Sequence, residues 1–332
     1  YQEKVKAQQE EQTKDPRPLF TGSNNSINTA LANIASQGVQ PVDIILPIYG
    51  SIHIASKCID AVLRRTNWPY NLIIVDDASD SPTREYLKTR KFPDNVRVIF
   101  NNKNRGFAAT VNRGMKESKN PYICFLNSDV LVTPNWLTKM VMALESNPKN
   151  QIINPITNNT ALINVDMQQG HSYLDMNRAL EATTQRSYPE VMLTGFCFLF
   201  KRELIWKIGF LDEAYKNYGE ETDYWMKVIT YLENGYYMKY RAALADDTYL
   251  FHERGSSFGA MGEYAHLSLR RGSNDRFHRV WPQYAQWIKG HNANKTMAPF
   301  RAPFPEKIIT NRDSDYKICW VVRSAAMCGG MK

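Results

Sequence analysis

The apolar run YICFL at 122–126 stops abruptly at Asn127, Ser128 and Asp129 before apolar residues resume. A buried strand that ends in one carboxylate beside two small polar residues has two readings. Asp129 can coordinate a hard divalent cation that in turn holds phosphate oxygens, or it can cap the helix that follows. Thr133, ahead of Pro134, already supplies a cap for a helix expected over 133–147, which favours the cation reading.

Three further groups have the types and spacing for chemistry. Asp76 and Asp77 are adjacent carboxylates after a second apolar run, so each needs a partner. One can accept hydrogen bonds from a base or a ribose, while the other caps a helix near Ser79 or closes an Asx turn. The stretch NNKNRGFAATVNRG at 101–114 contributes Arg105, suited to a base or a phosphate. There Gly106 permits close backbone approach, and Asn112 can support the same loop. GEETD at 219–223 places Glu220 and Asp223 on one helical face and turns Glu221 about 100° away. Acids in a first turn suit the helix dipole, yet one of them can also take a proton from an attacking hydroxyl. His252, after a short apolar strand, is either structural or a neutral imidazole that completes a metal site.

These residues need a scaffold, and the sequence supplies one. Apolar runs at 42–48, 71–77, 96–100 and 122–126 alternate with helix-like stretches, among them SPTREYLKTR with Pro82 in a first turn. Such runs imply parallel strands buried on both faces of an open α/β sheet, whose ligands lie beyond the carboxyl ends of the strands. Pro47, Tyr49, Asp76, Asp77, the 101–105 segment and Asn127 to Asp129 all fall on that edge. The first strand–helix turn, PIYGSIHIAS, has no G-x-G-x-x-G, and no G-x-x-x-x-G-K-[ST] occurs, so a dinucleotide site and a P-loop are both poorly supported. Farther on, 191–204 reads as a strand running into a helix, 218–235 as a helix, YYMKY and DTYLFHE as strands, and 260–290 as a basic helical region.

Composition sets the bounds. The chain has 332 residues, 43% hydrophobic and 22% charged, ordinary for a soluble globular protein. Its longest apolar run, 191–200, is too short to span a bilayer and no signal peptide opens the sequence, so the expected location is the cytoplasm. The five cysteines lack metal or disulfide spacing. The net charge is +8, and ten Arg/Lys stand against four Asp/Glu between 253 and 312. That excess suits nucleic acid, an anionic membrane face or a phosphorylated substrate as well as a solvated helical face.

The motifs VDIILPIYG, LIIVDDASD, NKNRGFAATVNRGM, YICFLNSDV and GFCFLFKRELIWKIGFLDEAYKNYGEETDYWMK, in this order over 41–258, resemble the family-2 inverting glycosyltransferases. The likeness is to the rhamnosyltransferase-like branch that builds bacterial surface polysaccharides. It implies a GT-A fold: an open, mostly parallel sheet flanked by helices, with a Rossmann-like nucleotide-sugar half at 41–154 and an acceptor and catalytic half at 155–258. Asp76 and Asp77 would bind the base and ribose of a UDP- or dTDP-sugar. Asp129 would be the last acid of a DxD motif holding Mn2+ or Mg2+, and His252 a further ligand. Glu220 and Glu221 would be the acidic pair, with Glu221 as base. The motif reads N-S-D here, so Asn127 offers only a neutral oxygen, and a Glu base reaches one methylene farther than Asp.

The expected acceptor is a growing or lipid-linked glycan, with no nucleic acid partner. Residues 1–40 read as a polar leader or linker, 259–297 as a basic helical extension with peripheral contact to the inner membrane face, and 298–315 as a linker. The tail, YKICWVVRSAAMCGGMK at 316–332, resembles the opening of a GT-B glycosyltransferase domain, a second catalytic unit in the same polypeptide. Two other classes fit parts of the pattern. A sugar nucleotidyltransferase lacks its basic glycine-rich loop here; the other is a non-catalytic carbohydrate- or nucleic-acid-binding module.

Overall fold

A computed structural model describes residues 25–215, 218–253, 263–290 and 292–301. The expectations for 1–24, 302–315 and the tail at 316–332 lie outside the described residues. The first half runs α1 (Asn25–Gln37), β1 (Val42–Ile48), α2 (Ile52–Arg65), β2 (Tyr70–Asp76), α3 (Ser81–Thr89), β3 (Val96–Phe100), α4 (Phe107–Glu117) and β4 (Tyr122–Leu126). The second runs β5 (Val130–Leu131), α5 (Trp136–Glu145), β6 (Asn150–Thr157), α6 (Tyr173–Thr183), β7 (Glu190–Val191), β8 (Cys197–Lys201), α7 (Glu203–Ile208) and α8 (Glu220–Ile229). Then come β9 (Leu232–Glu233), β10 (Tyr236–Tyr237), β11 (Arg241–His252), α9 (Glu263–Val280), α10 (Tyr284–Trp287) and α11 (Ala293–Arg301).

The main sheet follows the order β3-β2-β1-β4-β8-β6-β11-β5, with β7 also paired to β11. Strands β1 to β4 are mutually parallel, as are β6 and β11, while β8 lies antiparallel between β4 and β6. Alternate residues of β1 enter different cores: Ile44, Leu46 and Ile48 join the cluster beneath α2 and α5, and Ile45 faces α4. Continuous apolar sequence is what a strand covered on both faces requires. The strand order reverses between β1 and β4, so a crevice opens beyond their carboxyl ends. Asn127, Ser128 and Asp129 sit there.

Several local expectations change. The polar stretch before residue 41 contains α1, which buries Ile27 and Ala30 against Met142 of α5; Asn33 donates to the Glu145 carbonyl at 2.7 Å. The Thr133 side chain caps nothing, although its carbonyl accepts the Trp136 amide at 3.3 Å. Helix α5 begins at Trp136 behind Asn135 at φ 59°, while the Thr133 hydroxyl donates to Asn177 at 3.1 Å. Helix α8 ends at Ile229, and β9 and β10 form a hairpin over Asn234 and Gly235 at φ 51° and 81°. Both central residues have positive φ, the signature of an Asn-Gly type I′ turn. Residues 298–301 close helix α11, with Met297 and Phe300 buried, and are not linker.

Candidate functional site

The turn after β4 is held from two sides. The Asn127 amide donates to the Phe196 carbonyl at 2.8 Å, and the buried Cys58 thiol of α2 faces the Asn127 carbonyl at 3.5 Å. Directly beyond, β5 pairs antiparallel with the end of β11, setting Val130 opposite His252 and Leu131 opposite Phe251. The Glu253 amide donates to the Asp129 carbonyl at 2.9 Å. This two-residue strand brings Asp129 to His252 across more than a hundred residues of sequence.

His252 Nε2 lies 3.1 Å from Asp129 Oδ1. On the other side of the ring, Nδ1 faces the Asn159 carbonyl at 3.1 Å, and the His252 amide donates to Asn158 at 2.7 Å. A carbonyl only accepts, so Nδ1 carries a proton. In the neutral imidazole Nε2 then presents a lone pair to a carboxylate oxygen, and two acceptors confront each other. A proton or a metal cation between them resolves this. A backbone carbonyl behind the ring is the usual support of a metal-bound histidine. The 3.1 Å separation is also near the roughly 3.0 Å between adjacent ligands of an octahedral cation bound at about 2.1 Å. The donor set therefore fits a divalent cation through these two groups. Among the described residues no cluster of three or more His, Cys, Asp or Glu gathers, so the protein would supply few of the ligands.

The acidic turn approaches from α8. Gly219 at φ 87° precedes the helix, a conformation that favours glycine. Glu220 is buried, and its Oε2 has no hydrogen-bond partner among the described residues. Glu221 lies half-buried against Gly195, where an added Cβ would stand 3.2 Å from the Glu221 Cγ. Burial pushes both carboxyls upward: Glu221's negative charge raises Glu220 further, while the Glu221 and Gly219 amides partly offset the rise at Glu221. Asp223 is occupied otherwise, accepting from Trp281 Nε1 at 2.9 Å and pairing with Lys227 at 2.7 Å.

Two consecutive residues join the halves. Gly195 touches Glu221, and the Phe196 ring stacks on His252 at 5.5 Å between centroids. The Asp129–His252 pair and Glu221 therefore flank one short stretch of backbone. Neither Gly195 nor Phe196 stood out in the sequence; the small residue before a buried strand in TGFCF is the signal that was present.

The remaining candidates sort by partner. Pro47 is buried within β1 and Tyr49 is exposed just past it. Asp76 Oδ1 accepts from the Ser79 amide at 3.2 Å, one residue farther along than the expected Asx turn would reach, and Oδ2 faces Arg84 at 3.5 Å. The cap of α3 is Asp80 and not either of the paired aspartates. Asp77 accepts from Asn101 and from the Arg105 and Gly106 amides at 2.7–3.0 Å, so it shapes the loop that presents the exposed Arg105 side chain. Gly106, at φ 83°, starts α4. Asn112 does not support that loop. It is buried and clasps Leu211 and Glu213, because its helix face turns toward the 211–213 segment. Ser128 lies between Asn127 and Asp129, half-buried.

With this geometry in place, comparison with known proteins decides the class. The model for Glycosyl transferase family 2 matches residues 43–209, half of the chain. The chain belongs to glycosyltransferase family 2. The chain is 25% identical to the uncharacterized glycosyltransferase YwdF of Bacillus subtilis, over 66% of this chain and 77% of that protein. It is 32% identical to an uncharacterized glycosyltransferase of Rickettsia bellii over 36% of this chain. The match spans 17% of the Rickettsia bellii protein and 58% of a Rickettsia typhi relative. Among solved structures, GalNAc-T7, crystallised with UDP, GalNAc and Mn2+, superposes with a TM-score of 0.54 at 14% identity, over 80% of this chain and 54% of that one. The fold of this family-2 glycosyltransferase is GT-A. No helix among the described residues is long and apolar enough to cross a membrane.

Proposed function

We propose that this family-2 glycosyltransferase moves a sugar from a nucleotide-diphosphate-sugar, a UDP- or dTDP-sugar, to a hydroxyl of a growing glycan with inversion at the anomeric carbon. The observation that carries the reading is the Gly195–Phe196 bridge, which sets Glu221 and the Asp129–His252 pair around one backbone segment. Asp129 Oδ1 and His252 Nε2 would hold Mn2+ or Mg2+. When bound, that cation supplies charge neutralisation for the departing diphosphate. The Asn159 carbonyl fixes the ring so that Nε2 stays directed at Asp129.

Glu221 accepts the proton of the acceptor hydroxyl as its oxygen attacks the anomeric carbon. The carbon–oxygen bond to the diphosphate breaks, and the nucleoside diphosphate leaves with that electron pair. A carboxyl raised by burial is a stronger base than a solvated one. Asp76 and Asp77 lie on the nucleotide side of the edge. Asp77 acts there by ordering the Arg105–Gly106 backbone, and Arg105 is free to meet a base or phosphate.

The test is a panel of nucleotide-sugars with divalent metal and candidate glycan acceptors, run on the full chain and on Glu221→Gln. The expected result is sugar transfer by the native chain, with transfer lost and nucleoside diphosphate binding kept in the variant. Undiminished turnover in Glu221→Gln would remove the base from this account.

A further inference from the structure

Helix α9 turns one face toward the acidic turn of α8 and leaves a cavity of about 570 Å³ between them. From α9 it is lined by Arg270, Arg271, Asn274, Phe277 and His278, spaced along one helical face. Across from them stand Tyr218, Gly219 and Thr222, the residues that lead into and continue the Glu220–Glu221 turn. Tyr284 also lines it, packed edge-to-face on Phe277 at 4.8 Å.

The charges in this cavity are uneven. Among the described residues neither Arg270 nor Arg271 forms an ion pair, whereas Arg276, on another face of the same helix, pairs with Asp212. Arg270 lies close enough to Tyr218 for its charge to act on that phenol. Two guanidiniums at the mouth of a cavity are a fork-shaped donor set for phosphate oxygens. Tyr218, Phe277 and Tyr284 beside them give flat apolar walls of the kind that pack against sugar rings.

We propose that this cavity is a subsite for a phosphate-bearing saccharide, the acceptor of the transfer, with Arg270 and Arg271 on the phosphate and the aromatic walls on the sugar. The proposal rests on the reading of Glu221 as the base, since Gly219 and Thr222 flank that residue and border the cavity. An acceptor held here by its phosphate presents a hydroxyl toward the α8 turn. Two sources carry this chemistry: a lipid-linked diphosphate saccharide and a phosphodiester-linked glycan.

The experiment is a binding titration on the full chain and on the double variant Arg270→Gln/Arg271→Gln, with and without UDP and Mn2+. Three probes are used: a short-chain lipid diphosphate saccharide in detergent, a phosphodiester-linked oligosaccharide, and the same oligosaccharide without phosphate. The native chain should bind at least one phosphorylated probe tenfold or more tightly than the unphosphorylated one. The double variant should lose that preference while its affinity for UDP with Mn2+ is unchanged. Whichever phosphorylated probe binds identifies the source. Equal affinity for phosphorylated and plain saccharide, or full retention of the preference in the double variant, would overturn the proposal. If the native chain fails to bind UDP while the phosphate preference persists and depends on both arginines, the subsite stands and the donor reading falls.

Discussion

Gly195→Ala isolates the position of Glu221 from its chemistry. Gly195 has no left-handed φ, so alanine fits its backbone. The added Cβ would meet Glu221 Cγ at 3.2 Å and its Cβ and Cδ at 3.3 Å. Ordinary van der Waals contact begins a few tenths of an ångström farther out, so the glutamate side chain must yield by about that much. Stability should barely change, because the unfolded chain loses about 0.4–1 kcal/mol of conformational freedom in entropy terms and the tight contact offsets it. Catalysis is less forgiving: a misplacement of about 1 Å can cost roughly 100-fold. A few tenths therefore cost about 3- to 10-fold in kcat, or about 0.7–1.4 kcal/mol of barrier. Steady-state transfer assays should show that fall with the donor KM unchanged, and urea unfolding should give a midpoint close to native. In a Glu221→Gln background Gly195→Ala should cost nothing more, because both changes act through one carboxylate. A folded Gly195→Ala enzyme with native kcat, or an undiminished cost in the Gln background, would refute the idea that Gly195 seats the base.

Gly114→Ala should behave in the opposite way. Its Cβ would lie 2.4 Å from Ile45 Cγ2 in the core between α4 and β1, so overpacking of about 1–3 kcal/mol outweighs a helix-propensity gain of about 1 kcal/mol. Urea unfolding should show a net loss with kcat preserved, and equal or greater stability would contradict the packing. The acid limb of kcat/KM should lie above the ordinary glutamate value of 4.5, because burial raises the Glu221 carboxyl and the base must be ionised to work; a limb at or below 4.5 contradicts the assignment. Asp246 is pushed up to about 7 by burial and by Asp247. The folded state thus keeps its proton while the unfolded state loses it, and stability falls as pH rises from about 4 to 7, by up to about 4 kcal/mol. Asp246→Asn should gain on the native chain across that window in denaturant titrations, and parallel pH profiles would count against it.

The parts legible in the sequence are those where one physical demand dominates. Strands β1, β3 and β4 coincide with VDIILPI, VRVIF and YICFL, because each is dominated by apolar and β-branched residues, with Asp43 and the exposed Arg97 as the only charged interruptions. Strand β6 was hidden by its polar residues. Asn150 and Asn154 sit fully buried in NQIINPIT, and Asn154 exchanges hydrogen bonds with Thr194 and Cys197. A buried amide that serves a neighbouring strand cannot be told from an exposed one by composition. The Asn-Gly hairpin was readable from its dipeptide but was absorbed into a helical pattern that continued past Ile229. At the candidate site, Asp129 and His252 stood out by residue type and local setting, whereas Glu221 was singled out within the acidic turn only by the family resemblance. Their convergence was not legible, since it depends on the two-residue strand β5 and on the missing side chain of Gly195. Asn112 shows the converse: a polar residue near a site motif whose side chain anchors a distant segment.

The central claim is that Asp129 and His252 jointly grip a cation that a nucleoside diphosphate completes. Electron paramagnetic resonance of free Mn2+ during titration with UDP or dTDP measures this directly. With the native chain the free-ion signal should fall below that of a protein-free nucleotide control, and with Asp129→Asn or His252→Ala it should match that control. A loss of signal beyond the protein-free control that is the same in all three proteins would place the cation elsewhere and contradict the account.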